Sequence, residues 1–221
     1  MSFPTPIVTT DAVVLTLVKG VLNVLLLTRP DDPFAGSRAL PGGYVHPQED
    51  RDVAAAITRI LRGKTGVGGF HLEQLQTFSG PDRDPRGWSV SLAHIALVRH
   101  DDFGELPEGV MLVPVDQVKD LAFDHDDILA AAMQRLRNKS AWSNLPALLL
   151  PREFSLPEIQ AIYEAVRGTK LDQSSFRRKL NELRLVEETG NTRQERPGRP
   201  AKLYRLSGEH DYSSQTFDRM I

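Results

Sequence analysis

Leu40–Val67 reads LPGGYVHPQEDRDVAAAITRILRGKTGV, and this stretch decides the fold of the first half of the chain. Leu40-Pro41-Gly42-Gly43 is a turn. Val53, Ala56, Ile57, Ile60 and Leu61 recur at spacings of three and four, which puts them on one face of a helix over Asp50–Lys64. Gly66 ends that helix. A glycine turn leading into a helix exposes backbone N–H groups, and a helix N-terminus favours negative charge, so the pair is a common way to hold a phosphate. The same pattern also serves as a plain connection, and the neighbouring segments have to decide between the two.

Upstream, Ala12–Val18 (AVVLTLV) and Val21–Thr28 (VLNVLLLT) are apolar runs around a Lys19-Gly20 turn. They are expected to be two buried strands. Arg29–Arg38 is a loop. Downstream, Leu72–Phe78 and Trp88–Val98 flank the turn-rich Ser79–Gly87 and read as strands. Met111–Pro114 is a short strand before a short helix near Asp116. Asp124 is a plausible N-cap for a helix to Arg137, with Ile128, Ala131, Ala132 and Leu136 inward. Strands interleaved with helices make an α/β layer fold.

The second half has a different grammar. Leu145–Leu150 is a short apolar stretch bracketed by Pro146 and Pro151, a linker that packs down. Ser155 and Glu158 form a capping box, and Pro157 sits in the first turn of a helix whose buried stripe is Ile159, Ile162, Tyr163 and Val166. Gly168 closes it. A second helix runs from Asp172 to Leu183 with Phe176, Leu180 and Leu183 inward. Gln173, Ser174, Ser175, Arg177, Arg178 and Asn181 are then left outward. Leu185–Glu188 and Lys202–Leu206 read as two strands. The loop between them, from Thr189 to Pro200, carries Arg193, Arg196 and Arg199. Helix, turn, helix and a hairpin with a basic tip make a winged helix-turn-helix. Asp211–Ile221 looks like a tail.

Totals narrow the class. The 221 residues allow one large or two smaller domains, with 40% hydrophobic and 25% charged residues as in ordinary globular proteins. There is no cysteine, which excludes disulfides and thiolate metal sites and suits the cytoplasm. No run approaches the roughly 18 apolar residues of a membrane span. Met1-Ser2-Phe3-Pro4 lacks the plan of a signal peptide. The net charge of −2 hides an asymmetry: −4 over Met1–Leu150 (14 basic, 18 acidic) and +3 over Pro151–His210 (12 basic, 9 acidic). A basic second half points to a polyanion partner. Arg193, Arg196, Arg199 and Lys202 would contact phosphates, and Gln173, Ser174, Ser175, Arg177 and Arg178 stand where base edges are read.

The glycine turn and helix resemble the signature box of the Nudix family, whose pattern is Gly, five residues, Glu, seven residues, then Arg-Glu-apolar-any-Glu-Glu-any-Gly-apolar. Gly43 and Glu49 match its start. Arg59, Leu61, Gly66 and Val67 match its end, across a segment two residues longer than the pattern. Ile60, Gly63 and Lys64 occupy the three glutamate positions. In active family members those glutamates hold divalent metal, because a hard cation needs clustered carboxylates. The resemblance therefore implies a Nudix fold that binds a ligand without efficient hydrolysis, with no catalytic or metal residues. Arg83-Asp84-Pro85-Arg86-Gly87 resembles the substrate loop of Nudix proteins acting on ADP-ribose, and its two arginines are expected to clamp a pyrophosphate. Phe123-Asp124-His125 resembles a segment of the same branch. The ligand-binding set implied in this way is Arg38, Gly42, Gly43, Glu49, Arg59, Arg83, Arg86 and His125.

A degenerate Nudix domain followed by a winged helix resembles the Nudix-related transcriptional regulators of NAD metabolism, the NrtR family. The resemblance implies an N-terminal Nudix-like α/β/α sandwich over residues 1–140, a winged helix over 141–210 and a tail over 211–221. It also implies a homodimeric repressor of NAD biosynthesis or salvage genes. Such a repressor binds a double-stranded DNA operator, needs no cofactor, and takes ADP-ribose or a related nucleotide as effector. Three other readings stay open: an active hydrolase using Asp82, Asp84 or Glu105, a related regulator sensing a sugar, and a protein-interaction module.

Overall fold

The computed structural model describes residues 5–194 and 200–208. Among them, seven strands form one mixed sheet: β1 (Ile7–Val18), β2 (Val21–Thr28), β3 (Arg38–Ala39), β4 (Gly42–Tyr44), β5 (His71–Gly80), β6 (Ser89–Leu97) and β7 (Val110–Pro114). Its main path is β3-β2-β1-β6-β5, with β4 added to the first half of β1 and β7 to β2. The β1–β6 pair is parallel, and the other pairs are antiparallel.

β1 is buried on both faces, and its alternation sends successive side chains to opposite layers. Ala12 and Val14 join Ile57 and Leu61 of α1 (Val53–Thr65). Val13 and Leu15 join Ile128 and Leu136 of α2 (His125–Lys139). The first half is thus an α/β/α sandwich. α1 is well delimited at both ends. The Asp52 carboxylate accepts from the Ala55 N–H at 2.8 Å, and Gly66 turns out of the helix at φ 71°.

The second half follows without a gap in the apolar core. Leu145–Leu149 form a buried 3₁₀ turn. Its side chains continue the cluster of Ile128 and Leu136 into Phe154, Ile159, Ile162, Tyr163, Phe176 and Leu180. These last belong to the start and helices of a winged helix: α3 (Leu156–Arg167), α4 (Gln173–Glu182), and the hairpin β8 (Val186–Arg193) with β9 (Ala201–Leu206). The Tyr163 hydroxyl donates to the Ser143 carbonyl at 3.0 Å, and Arg137 Nε donates to the Val166 carbonyl at 3.4 Å.

Several boundaries differ from the sequence expectation. β1 starts at Ile7 rather than Ala12. Thr9, Thr10 and Asp11 break the apolar pattern yet are buried, because they line a polar interior where Thr10 Oγ1 donates to the Leu92 carbonyl. β3 and β4 are too short to leave a pattern and exist through pairing with β2 and β1. Thr189–Asn191, expected in the loop, lie within β8, where an irregular register between Glu188 and Thr192 absorbs them. Asp124 stands at the start of α2 but makes no side-chain cap there, since Arg83 takes its carboxylate.

Glu73 of β5 ties the sheet to the end of α2. The His71 ring and the Lys139 ammonium hold its carboxyl well below the usual range, at about 2. A depressed carboxyl contributes stability above its ordinary pKa and loses it as pH falls through the folded value. Glu73→Gln should therefore cost about 1–2 kcal/mol at pH 7. In urea titrations from pH 7 to 2, the gap to the wild type should narrow below pH 4.5 and close towards pH 2.

Candidate functional site

The glycine turn, the end of β2, the Arg83–Arg86 loop and the approach to α2 enclose a cavity of about 490 Å³. At its floor lies Asp11, whose side chain is only 8% exposed. Ser91 Oγ donates to Asp11 Oδ2 at 2.5 Å. Arg83 Nη2 lies 4.0 Å from the same oxygen, and His125 Nε2 lies 3.6 Å from Oδ1. The Leu40 N–H donates to His125 Nδ1 at 2.9 Å, so Nε2 carries the hydrogen of the neutral ring and faces Asp11. Burial pushes the His125 pKa down, against the pull of Asp11, which keeps the ring neutral near pH 7.

Gly42 is required by close approach. A Cβ there would sit 1.7 Å from Asp11 Oδ1 and 3.0 Å from the Thr10 carbonyl oxygen. Ile60, at one of the family's glutamate positions, is buried under the turn, with its Cδ1 3.3 Å from where a Gly43 Cβ would stand. Lys64, at another, donates from Nζ to the Gly42 carbonyl at 2.6 Å and lines the cavity.

The two loop arginines face the cavity with their forks already engaged. Arg83 makes a bidentate pair with Asp124 at 2.8 and 2.7 Å and donates to Ser89 Oγ. Arg86 grips Asp84 at 2.9 and 2.7 Å, donates to the Tyr44 hydroxyl at 2.6 Å, and lies 5.4 Å from the Tyr44 ring centre. A bidentate clamp by both arginines on a ligand thus requires displacing two carboxylates.

Of the expected ligand residues, Gly42, Gly43, Arg83, Arg86 and His125 line the cavity, and Arg38, Glu49 and Arg59 do not. Arg38 donates outward to the Lys119 carbonyl. Glu49 is exposed beside His46. Arg59 is held by Asp50 at 2.8 and 2.7 Å and by the Tyr44 carbonyl, a brace on the segment entering α1. Asp11, Arg29, Lys64 and Phe123 also line the cavity and were absent from the expected set. A charge interrupting the apolar run of β1 was the available signal for Asp11. The candidate carboxylates of a rival hydrolase do not gather: Asp84 pairs with Arg86, and neither Asp82 nor Glu105 lines the cavity. No cluster of three or more His, Asp or Glu with the geometry to hold a metal occurs among the described residues.

The winged helix presents the second surface. Gln173, Ser174, Ser175, Arg177 and Arg178 are all exposed on α4, while Phe176 and Leu180 are buried. Asp172 caps the helix by accepting from the Ser175 N–H at 2.8 Å. Arg193 pairs with Glu158 at 2.5 Å and Lys202 with Glu188 at 2.8 Å, so both wing cations have carboxylate partners. Arg196, Arg199 and the expected tail lie outside the described residues.

Residues 146–206 match the NrtR DNA-binding winged helix domain. Over 99% of its length the chain is 37% identical to an "ADPR responsive transcriptional repressor NtrR" of Acinetobacter baylyi, spanning 88% of that protein. The chain belongs to the NrtR family. NrtR of Shewanella oneidensis, solved in complex with a 27mer DNA, is 34% identical and superposes with a TM-score of 0.89 over 97% of this chain and 99% of that one. The NUDIX domain of the same Shewanella protein, solved with ADP ribose, matches 61% of this chain and 90% of that one at 34% identity and a TM-score of 0.56. The family's fold, a Nudix domain with a C-terminal winged helix, is the one found here.

Gly42→Ala should displace Asp11 and destabilise the protein by about 2 kcal/mol, while Gly43→Ala, which meets only the end of Ile60, should cost about 1 kcal/mol or less. Thermal unfolding of the two variants in parallel checks the order.

Proposed function

We propose that the chain is a DNA-binding transcriptional regulator, a homodimeric repressor of NAD biosynthesis or salvage genes, whose Nudix domain binds ADP-ribose and thereby releases an operator. The observation that carries this reading is a cavity onto which Arg29, Lys64, Arg83 and Arg86 converge among several carboxylates, joined to a winged helix through one continuous apolar core. The cavity is of a size that suits a small-molecule ligand. Tyr44 and Phe123 offer faces for a base, and the arginines and Lys64 offer positive charge to a diphosphate. The relatives described above, one ADPR-responsive and one solved with ADP ribose, support the effector.

The arrangement offers a route from ligand to DNA. Asp124 opens α2 and is held by Arg83 at the cavity. The far end of α2 is packed against the winged helix and bonded to it through Arg137 and Val166. A ligand group that draws Arg83 away from Asp124 loosens the near end of α2 and changes how its far end supports the DNA-binding helices. The ligand moves this equilibrium only as far as it prefers one arrangement. A hundredfold loss of operator affinity corresponds to a coupling of about 2.7 kcal/mol.

Hydrolysis belongs to the same proposal as an inefficient side activity. Ile60 is buried beneath the glycine turn and Lys64 is bonded to it, so neither position supplies a metal-holding carboxylate. Sustained AMP release from ADP-ribose with magnesium would overturn this part.

DNA selected from a random pool, then titrated in gel shifts with ADP-ribose, tests the whole. A two-fold symmetric site released by ADP-ribose is expected. A site released by pentoses instead favours a sugar sensor, and no DNA binding at any salt favours a protein-interaction module. Arg177→Ala should weaken operator binding by about tenfold. If Arg177 touches a phosphate, the salt slope falls by about one. If it reads a base, preference at one position relaxes.

A further inference from the structure

The cations of the cavity fall into two classes. Arg83 and Arg86 are neutralised by Asp124 and Asp84. Lys64 and Arg29 are not, since among the described residues both are held by carbonyl groups alone. Lys64 Nζ donates to the Gly42 carbonyl at 2.6 Å. Arg29 Nε donates to the Pro33 carbonyl at 2.8 Å and Nη2 to the Asp31 carbonyl at 3.2 Å, with the guanidinium 4.8 Å from the Phe123 ring centre. Asp11 lies across the same space, but its oxygens face Ser91, Arg83 and His125 and form no ion pair with Lys64.

A partly buried ammonium held by a carbonyl, with the Asp11 carboxylate near it but not in direct contact, is only partly compensated. Burial pushes the Lys64 pKa down, Asp11 pulls it back up, and the positive charge of Arg29, which lines the same cavity, pushes it down again, so the two cations disfavour each other. An anion placed between them relieves both costs at once. Anions of several atoms with more than one negative charge, such as a diphosphate, fit this demand best.

We propose that Lys64 and Arg29 form the subsite that takes the diphosphate of the nucleotide effector, and that the effector binds there without a divalent cation. This rests on the effector reading given above and adds the residues and the metal independence. Lys64 supplies fixed positive charge from the last turn of α1, where the family pattern has a glutamate. A lysine can neutralise phosphate charge, but unlike a metal it does not hold and acidify a water. One residue therefore favours retention of the signal molecule and disfavours its hydrolysis.

Calorimetric titration of the full chain tests this with ADP-ribose, adenosine and inorganic pyrophosphate, each in EDTA and in magnesium. The wild type should bind ADP-ribose equally in both, within about twofold. Lys64→Met should weaken ADP-ribose by about tenfold or more while leaving any adenosine affinity unchanged, and Lys64→Arg should retain most of the binding. Circular dichroism confirms that the variants fold. Should Lys64→Met not fold, Arg29→Met and the EDTA comparison decide in its place. Binding that requires magnesium, or a folded Lys64→Met variant with wild-type affinity, overturns the proposal. Lys64-dependent binding of pyrophosphate without any binding of ADP-ribose keeps the subsite and sinks the effector assignment. Absence of binding by both phosphate probes sinks the subsite.

Discussion

Asp11 is a buried carboxylate within β1, just before the apolar run that begins at Ala12, and the cavity is built around it. A buried charge persists only where donors surround it. Here they come from three parts of the chain. Ser91 donates from the neighbouring strand, the His125 ring approaches from the start of α2, and the Arg83 guanidinium approaches from the loop between β5 and β6. The glycine turn gives way to the carboxylate by having no side chain at Gly42. The turn that looks like a phosphate loop is thus shaped first by the residue beneath it. His125 joins the two, accepting from the turn at Leu40 while facing Asp11.

The same network reaches the start of α2 through Arg83 and Asp124. α2 in turn packs one face on the sheet and continues into the Leu145–Leu149 turn and the winged helix. Apolar side chains of both halves belong to one buried cluster, so a displacement of α2 is felt by side chains that support α4. Close-packed interiors transmit such displacements because they have few voids to absorb them. The polar bonds at the far end of α2, from Arg137 and Tyr163, add direction to what the apolar contacts supply in bulk.

The charge pattern divides the labour within the cavity. Carboxylates already hold the arginine forks of the Arg83–Arg86 loop, which makes that loop a rigid wall with exchangeable partners. The last turn of α1 and the residue just after β2 carry the cations held only by carbonyls.

Much of the architecture was legible in the sequence. The α1 stripe, the paired apolar runs of β1 and β2, the capping box of α3 and the outward polar face of α4 follow from periodicity and local hydrogen bonding, which neighbouring residues settle among themselves. So do the Gly66 stop and the order of sandwich before winged helix. Short or irregular elements were not legible: β3, β4 and the bulged part of β8 are set by partners distant in sequence. Of the residues that the motifs singled out, Gly42, Gly43, Arg83, Arg86 and His125 line the cavity and Arg38, Glu49 and Arg59 lie outside its lining, because a motif gives position along the chain but not the direction a side chain takes. Tertiary structure alone decided that Asp124 serves Arg83 rather than its own helix, and that Asp11, Arg29 and Lys64 meet in one space. The reason is that a buried charge takes its partners from whatever the fold brings within a few ångströms, and those residues lie tens of positions apart in the chain.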